Sequence, residues 1–366
     1  MFNDVYKGKK VLVTGNTGFK GAWLTVWLLQ LGADVYGISN QVPTTPAMFD
    51  LCGLRDRITY YEHDVNDLAS IERRIAEVRP DFVFHLAAQP IVSISYDDPV
   101  GTLATNIMGT AHVLEALRRS NHPCTAIMIT SDKCYDNVEW VWGYRETDPV
   151  GGRDPYSASK GGAELIIKTY FHSFFNRPDS QVRIASTRAG NVIGGGDWAA
   201  SRIVPDAFRA WGVNQTLEIR APRATRPWQH VLEPLSGYLH LGAQLHQRKE
   251  LNGEPYNFGP VERSYSVRDL LAKLSQHWDF GPLEMPIREV EPPDFHEAGL
   301  LKLNCDKALH DLGWLPTMNI DEVSRLTATW YAAHYREQRE DMLSITQAQL
   351  DEYASIARSR GIVWAT

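Results

Sequence analysis

A glycine-spaced turn near the start of the chain limits the fold more than any other feature. Residues 9–14 form a short β-rich run, the motif Gly15-x-x-Gly18-x-x-Gly21 follows directly, and an apolar helical pattern continues over 22–31. Glycines in such a turn permit a tight reversal and let a pyrophosphate approach the helix N-terminus, whose free N–H groups and dipole favour anions. The motif therefore predicts a strand–turn–helix unit that binds a dinucleotide.

Strand and helix patterns alternate through the first half of the chain. Further β-rich runs lie at 34–38, 58–63, 82–86, 125–129 and 182–187. Helical patterns lie between them, at 68–78, 100–119 and 156–175. Repeated strand–helix units predict an α/β fold, a Rossmann-type doubly wound parallel sheet with helices on both faces.

The alternation stops after about residue 190, where loops rich in glycine, proline and arginine separate shorter elements: Gly194-Gly195-Gly196-Asp197, 220–227 and Pro292-Pro293. We expect residues 1–189, with about 226–261, to form the nucleotide-binding domain. A smaller C-terminal α/β substrate lobe is expected from 190–225 and 262–320, followed by a helical tail, 321–366.

Charge and cysteine content argue against several classes of function. The chain has 366 residues, with 37 Lys or Arg and 44 Asp or Glu, and no long run of either sign, which argues against nucleic-acid binding. No Cys-x-x-Cys pair or His cluster is present, so no metal site is expected from the four cysteines, Cys52, Cys124, Cys134 and Cys305. Without a signal peptide or a membrane-length apolar run, we expect a soluble, reduced cytoplasmic protein and no membrane partner.

Tyr156 and Lys160 form a Tyr-x-x-x-Lys pair. Residues four apart lie on one helix face, and a nearby cation lowers the pKa of a tyrosine from its usual value of about 10. Such a phenol takes a proton from a sugar or alcohol hydroxyl near neutral pH. The competing interpretation of an isolated pair is an exposed helix face with an extended lysine.

The run Thr130-Ser131-Asp132-Lys133 places a hydroxyl, a carboxylate and an amine on one short turn. That is more acid–base equipment than the oxidation of an alcohol requires.

The end of the second strand lacks the carboxylate that usually binds the ribose of NAD. Ser39 and Asn40 stand there and can still donate to a ribose, so NAD is expected while NADP stays open. Asp64 and Val65, after the third strand, are placed to contact the adenine amino group. The alternative for Asp64 is a helix N-cap.

With the glycine turn and the Tyr156/Lys160 pair, two further motifs, His85-Leu86-Ala87-Ala88-Gln89 and Asn106, give the chain its likeness to a known family. Over roughly residues 8–320 it resembles the extended short-chain dehydrogenase/reductase family. The run 130–133 is similar to the site of the nucleotide-sugar 4,6-dehydratase branch, many of whose members have Thr-Asp-Glu where this chain has Ser131-Asp132-Lys133.

Lys133 in place of Glu is most similar to the members that act on CDP-sugars. Three other stretches share that likeness: 188–198, 226–231 and the C-terminal stretch from His296-Glu297-Ala298 through Leu312-Gly313-Trp314.

The resemblance implies conversion of CDP-glucose to its 4-keto-6-deoxy form, with NAD reduced and reoxidised within one cycle. Tyr156, helped by Ser131 and Lys160, would remove the 4-hydroxyl proton. Asp132 would protonate the departing 6-hydroxyl and Lys133 would take the C5 proton, although Lys133 could instead orient the sugar or stabilise an enolate. Tyr135 could be a second hydroxyl contact or a core residue.

NAD contacts are implied for the glycine turn, the strand ends and the catalytic helix: Gly15, Thr17, Gly18, Phe19, Lys20, Gly21, Ser39, Asn40, Asp64, Val65, Leu86, Ala87, Ala88, Gln89, Thr105, Thr130, Tyr156 and Lys160. Substrate contacts are implied for Ser93, Asn191, Arg202, Arg220, Arg226 and His230. Arginine suits a pyrophosphate because its planar fork binds oxygens in pairs, and the alternative for each is a structural ion pair. Ser95 and Tyr96 are further candidates for the sugar, whereas His85 is expected to be structural.

Helices 100–119 and 156–175 resemble those that form a four-helix dimer interface in the family, so a homodimer, or a dimer of dimers, is expected. The resemblance also implies a place in deoxysugar biosynthesis for lipopolysaccharide O-antigen. Two alternatives stay open: a nucleotide-sugar 4-epimerase, which needs no acid–base pair for elimination, and a non-catalytic NAD(P)-sensing regulator, which commonly loses the Tyr or Lys.

Overall fold

The computed structural model describes residues 1–261, 265–281, 285–290 and 300–366. The motifs Pro292-Pro293 and His296-Glu297-Ala298 lie outside the described residues.

A seven-stranded parallel sheet forms the centre of the molecule. In chain order its strands are β1 (Lys10–Thr14), β2 (Asp34–Ser39), β3 (Thr59–Glu62), β4 (Phe82–His85), β5 (Cys124–Ile129), β6 (Val182–Ala189) and, after four shorter strands, β11 (Pro255–Phe258). Across the sheet they lie in the order β11-β6-β5-β4-β1-β2-β3. The chain reverses its direction of growth between β1 and β4, where parallel sheets of this kind bind ligands at the carboxyl ends of the strands.

Six two- or three-residue strands complete the β structure: β7 (Val192–Ile193), β8 (Leu217–Ile219), β9 (Thr225–Arg226), β10 (Gln229–His230), β12 (Tyr265–Ser266) and β13 (Ile287–Glu289). These strands, all in the second half of the chain, pair as β7 with β10, β8 with β13 and β9 with β12.

The α-helices of the described residues are α1 (Phe19–Gln30), α2 (Met48–Leu51), α3 (Leu68–Val78), α4 (Val92–Asp97), α5 (Pro99–Leu103), α6 (Gly109–Ser120), α7 (Pro155–Tyr170), α8 (Ile203–Gly212), α9 (Leu232–Gln247), α10 (Val267–Ser275), α11 (Asp306–Leu312), α12 (Ile320–Tyr335) and α13 (Met342–Ser359). Two π-helical segments, Ala104–Met108 and Phe171–Phe175, continue α5 into α6 and extend α7. Within the described parts of the chain no helix is long and apolar enough to cross a membrane.

Alternate residues of β1 point into two separate cores, which is the signature of a sheet covered on both faces. Val11 and Val13 belong to a large core, together with Trp23 and Trp27 of α1. Leu12 belongs to a second core on the opposite face. The predicted doubly wound α/β fold is therefore confirmed.

The domain division stays a prediction, although two observations support it. Strand β11, from the segment 226–261, pairs with β6 in the large sheet. The β8–β13 pair, together with α8 and α10, lies within the ranges expected for the substrate lobe, whereas β9 spans the predicted boundary at residues 225 and 226.

Candidate active site

Glycine is sterically required at both ends of the turn, at Gly15 and at Gly21. Gly15 has φ +73°, and a Cβ there would lie 2.7 Å from the Ala87 nitrogen. A Cβ at Gly21 would lie 2.1 Å from the Gly15 carbonyl oxygen. Gly18 is different, since its nearest such contact is 3.5 Å. Gly18 is the N-cap of α1, and no side chain among the described residues caps that end. The N–H groups of the first turn of α1 are therefore free for an anion.

The second and third strand ends form one polar edge. The Ser39 hydroxyl donates to Asn16 Oδ1 at 2.9 Å, and Asn40 Nδ2 donates to Asp64 Oδ2 at 3.1 Å. The alternative role of Asp64 as a helix cap is not observed, because Asp67 caps α3 by accepting from Ser70. Asn16, buried beside Ser39, was missed by the sequence analysis.

Asn106 holds the loop after β4 against the catalytic helix. Its side chain accepts from the Gln89 N–H at 2.8 Å and donates to Ser159 of α7 at 2.8 Å. The sequence showed Asn106 only as part of a family likeness. The signal that could have found it is a buried polar residue inside a helical pattern, which needs partners from elsewhere in the fold.

His85 is structural, as expected. Its Nδ1 lies 2.8 Å from the Thr14 hydroxyl and its Nε2 3.1 Å from the Thr110 hydroxyl. Burial, with a smaller effect of Lys160, lowers its pKa to about 3, so the ring stays neutral.

The turn after β5 brings the three expected acid–base residues together. Ser131 donates to Asp132 Oδ1 at 2.9 Å and accepts from the Lys133 N–H at 3.2 Å. Burial raises the pKa of Asp132, while Lys133, the Ser131 hydrogen bond and Lys20 act against this rise. A carboxyl group that holds its proton more tightly than usual suits a general acid.

Tyr156 and Lys160 are buried on the first two turns of α7, whose N-terminus is capped by Asp154. The prediction that a nearby cation lowers the pKa of Tyr156 is wrong. Burial raises the pKa of Tyr156 to about 12, and a side-chain hydrogen bond with Ser131 opposes it only in part. Burial also lowers the pKa of Lys160 to about 8. The loss of hydration therefore outweighs the effect expected from the lysine.

Glu164, one helical turn after Lys160 on α7, forms a buried ion pair with Arg188. Arg188 Nη2 lies 2.8 Å from Glu164 Oε2, with both side chains 5% exposed. Nη1 of Arg188 donates to the Tyr135 hydroxyl at 2.8 Å. This hydroxyl donates in turn to Asn257 Oδ1 at 2.8 Å. Tyr135 is therefore a core residue, and the alternative of a second hydroxyl contact is not observed. Thr130 also serves this network, because its hydroxyl donates to Glu164.

The arginines expected to bind the substrate have different surroundings. Arg202 forms an ion pair with Asp197 at 2.9 Å, and its charge lowers the pKa values of both Tyr156 and Lys20. Arg220 is exposed. Arg226 is half-buried and donates to the Thr225 carbonyl at 2.9 Å.

The other expected substrate residues divide by exposure. Asn191 is exposed and Ser93 is half-buried. Ser95 donates to the Val92 carbonyl within its own helix. His230 has no exposed surface; its ring packs edge-on against Trp23 with centroids 5.7 Å apart. A ribose contact by His230 is therefore not supported by its surroundings.

A family model described as GDP-mannose 4,6 dehydratase matches residues 12–327. The CDP-glucose 4,6-dehydratase of Salmonella typhimurium is 44% identical over 356 residues, which cover 96% of this chain and 98% of that protein. This chain belongs to the nucleotide-sugar 4,6-dehydratase family. The resemblance recognised in its motifs is thereby confirmed.

Solved structures agree with this dehydratase fold. An epimerase from Methanothermobacter thermautotrophicus has a TM-score of 0.76 at 25% identity, covering 92% of this chain and 96% of its own. The dTDP-glucose 4,6-dehydratase of Bacillus anthracis, solved in complex with NAD, has a TM-score of 0.74 at 19% identity, covering 93% and 100%.

Proposed function

We propose that this dehydratase converts CDP-glucose to CDP-4-keto-6-deoxyglucose. The observation that carries the proposal is the turn Ser131-Asp132-Lys133, which lies against the buried Tyr156 through a hydrogen bond with Ser131. A site that only oxidises and reduces C4 has no use for a second buried acid beside the tyrosine. The identity of 44% to a CDP-glucose 4,6-dehydratase supports the same substrate.

NAD is the proposed cofactor, and the residues of the glycine turn fit it. The uncapped N-terminus of α1 can hold its pyrophosphate, and the open space around Gly18 admits that group. Ser39, Asn40 and Asp64 form the polar edge for the adenosine end. The glycine turn and this polar edge would hold NAD, which would supply an acceptor for the hydride of C4 and a donor of hydride to C6.

Oxidation at C4 requires removal of the 4-hydroxyl proton. The acceptor is Tyr156 as its phenolate, a form that the hydrogen bond with Ser131 favours and that burial opposes. Lys160 lies one helical turn away on the same helix and adds positive charge while protonated. The ketone formed at C4 makes the C5 proton acidic.

Water loss then needs a base for C5 and an acid for the 6-hydroxyl. Asp132 is the acid, because burial favours its protonated form. Lys133 is the proposed base; it adjoins Asp132 on the turn and is half-buried. Arg202, which is paired with Asp197 and whose charge acts on Tyr156, is the arginine proposed to contact the substrate phosphates.

Product analysis tests the proposal. The protein is incubated with NAD and, separately, CDP-glucose, dTDP-glucose, GDP-mannose and UDP-glucose, and 4-keto products are detected by their absorbance in alkali. We expect product from CDP-glucose, with solvent deuterium at C5. A C4 epimer, which is the other candidate reaction, or no product from any sugar would contradict the proposal.

A homodimer is proposed through the surface of α5–α7. Val100, Leu103, Met108 and Leu165 are 74%, 38%, 49% and 55% exposed, although all four are apolar. Water-exposed apolar side chains clustered on neighbouring helices are typical of a subunit interface. The cytoplasmic setting, supported by four free cysteines, and the O-antigen role stay predictions.

A further inference from the structure

The ion pair of Glu164 and Arg188 lies beside the acid–base turn, residues 131–133, and both of its side chains are 5% exposed. Removing two charges from water costs about as much as their attraction returns, so apolar side chains of the same volume would stabilise a core equally well. What a buried pair adds is direction, because a carboxylate and a guanidinium form hydrogen bonds at fixed angles. The groups that the pair binds therefore indicate its role.

Glu164 holds the residue that directly precedes the acid–base turn. Its Oε1 accepts from the Thr130 hydroxyl at 2.5 Å, a shorter distance than the 3.1 Å from that hydroxyl to the Thr187 carbonyl. Glu164 lies on α7, one helical turn after Lys160 and two turns after Tyr156 on the same face. Its carboxylate therefore ties the start of the acid–base turn to the helix that carries Tyr156.

Arg188 holds the far side of the same turn through Tyr135. Its Nη1 donates to the Tyr135 hydroxyl at 2.8 Å, and its guanidinium carbon lies 4.9 Å from the centre of the tyrosine ring. The backbone N–H of Tyr135 donates to the Asp132 carbonyl and so closes the turn. Since Nη2 of Arg188 binds Glu164 at 2.8 Å, one ion pair connects both ends of the acid–base turn.

We infer that the ion pair of Glu164 and Arg188 positions the acid–base turn for catalysis. By binding Thr130 before the turn and Tyr135 after it, the pair fixes the turn relative to Tyr156 on α7. The inference rests on the proposed function, in which one sugar must meet the tyrosine at C4 and the turn at C5 and C6. A misplacement of about 1 Å between such groups costs up to about 10²-fold in rate.

Ser186 supplies an internal control for this role. Its hydroxyl donates to Glu164 Oε2 at 3.0 Å, and the residue is as buried as the rest of the network. Ser186 lies on β6, so its hydrogen bond joins Glu164 to the sheet instead of to the acid–base turn. Loss of this bond should affect stability without moving the turn.

Kinetics on matched hydroxyl variants test the inference. Thr130→Val and Tyr135→Phe each remove one link to the turn and keep the ion pair, whereas direct replacement of Glu164 or Arg188 would leave a buried charge unpaired. We expect each variant to lower kcat, and the rate of a single turnover, by about 10-fold, with the KM for CDP-glucose unchanged. Thr130→Ser, which keeps the hydroxyl, should restore most of the rate.

Unfolding measurements separate positioning from a merely structural role. Thr130→Val, Tyr135→Phe and Ser186→Ala each lose one buried hydrogen bond, so all three should lower the free energy of unfolding. Only the first two should lower kcat per folded molecule. A wild-type kcat in Thr130→Val or Tyr135→Phe, or an equal loss of kcat in Ser186→Ala, would overturn the inference.

The contact with NAD that the sequence analysis expected for Thr130 has its own outcome. A raised KM for NAD in Thr130→Val, with kcat unchanged, would assign that hydroxyl to the cofactor and would overturn the inference. Failure of the wild-type protein to form a 4-keto sugar from CDP-glucose would instead overturn the proposed function. The two failures are therefore distinguishable.

Discussion

Tyr156 shows how burial changes a residue that the sequence marks as reactive. Its hydroxyl shares a hydrogen bond with Ser131, yet its pKa is raised to about 12 because the phenolate would lose its hydration. The side chain is therefore a neutral phenol at neutral pH in this structure. To accept the 4-hydroxyl proton the phenol must ionise, and the hydrogen bond with Ser131 favours its phenolate.

Tyr156→Phe should abolish the oxidation half of the cycle. We expect nicotinamide reduction to slow by about 10²- to 10⁴-fold, because the acceptor for the 4-hydroxyl proton is lost. The absorbance of reduced nicotinamide after mixing with CDP-glucose measures this. Tyr36→Phe, at a half-buried tyrosine of β2 remote in sequence from the catalytic motifs, should react at the wild-type rate. Wild-type oxidation by Tyr156→Phe would remove the tyrosine from the mechanism.

Asp132→Asn should separate the two halves of the cycle. The amide cannot give a proton to the 6-hydroxyl, so reduced nicotinamide should form normally while water loss slows by about 10²-fold or more. Rapid mixing for the first step and deuterium at C5 for the second provide the measurements. Asp136→Asn, at an exposed carboxylate on the same loop, is the control. Equal slowing of both steps would count against Asp132 as the acid.

At the scale of elements, the glycine turn combines two separate requirements. Gly21 leaves no room for a Cβ because the Gly15 carbonyl oxygen would lie 2.1 Å away, whereas Gly18 has room and φ −73°. Gly21 is thus needed for packing of the strand against the helix. Gly18 is needed only if a ligand comes close.

Comparing Gly18→Ala with Gly21→Ala should reveal this difference. We expect Gly21→Ala to lower the free energy of unfolding strongly, because backbone atoms must move apart. Gly18→Ala should keep the wild-type unfolding free energy and weaken NAD binding. Urea unfolding and calorimetric titration with NAD measure the two effects. Unchanged NAD affinity in Gly18→Ala would contradict a pyrophosphate at this turn.

Glu233 joins α9 to the C-terminal tail. Its carboxylate accepts from the N–H groups of Thr317 and Met318, at 2.8 and 2.7 Å, and from the Tyr353 hydroxyl at 2.9 Å. Burial raises its pKa from 4.5 to about 7, and the two backbone hydrogen bonds only partly oppose this. The folded state therefore binds this proton more tightly than the unfolded chain does.

The sign of the resulting pH dependence follows from linkage. The contribution of Glu233 to folding is constant below about pH 4.5, falls as the pH rises to about 7, and is constant above that. Over this window it amounts to about 3 kcal/mol. Glu233→Gln should lack this decrease when unfolding free energies at pH 5 and pH 8 are compared, and Glu250→Gln, at an exposed residue, should retain it. An unaltered pH dependence in Glu233→Gln would refute the assignment.

At the scale of the whole molecule, the apolar surface of α5–α7 sets the expected assembly. Val100 is the most exposed of its apolar residues, at 74%. A charge placed there would be buried in a dimer and would cost several kcal/mol if unpaired.

Val100→Asp should therefore shift a dimer toward monomer in analytical ultracentrifugation. Val213→Asp, at a valine that is 59% exposed on another part of the surface, should leave the assembly unchanged. If the wild-type protein sediments as a monomer, or if both variants behave alike, the surface is not the subunit interface.

The sequence predicted most of the fold because the deciding signals are local. The bounds of α3 were predicted without error, and the large strands were placed to within two residues at either end. The helix expected over 100–119 was found with a π segment inside it, and several helices, α4, α8 and α9 among them, were not predicted. Residues of α9 are buried nearly all round, so no polar stripe reveals the helical period.

The sequence by itself determined the alternation of strands and helices and the position of the glycine turn, and it predicted the acid–base set Ser131, Asp132, Tyr156 and Lys160. It did so because hydrophobic period, glycine spacing and i, i+4 placement are properties of neighbouring residues. Only the tertiary structure decided the raised pKa of Tyr156 and the pairing of Glu164 with Arg188. These depend on burial and on charges brought together from distant parts of the chain, which no local pattern records.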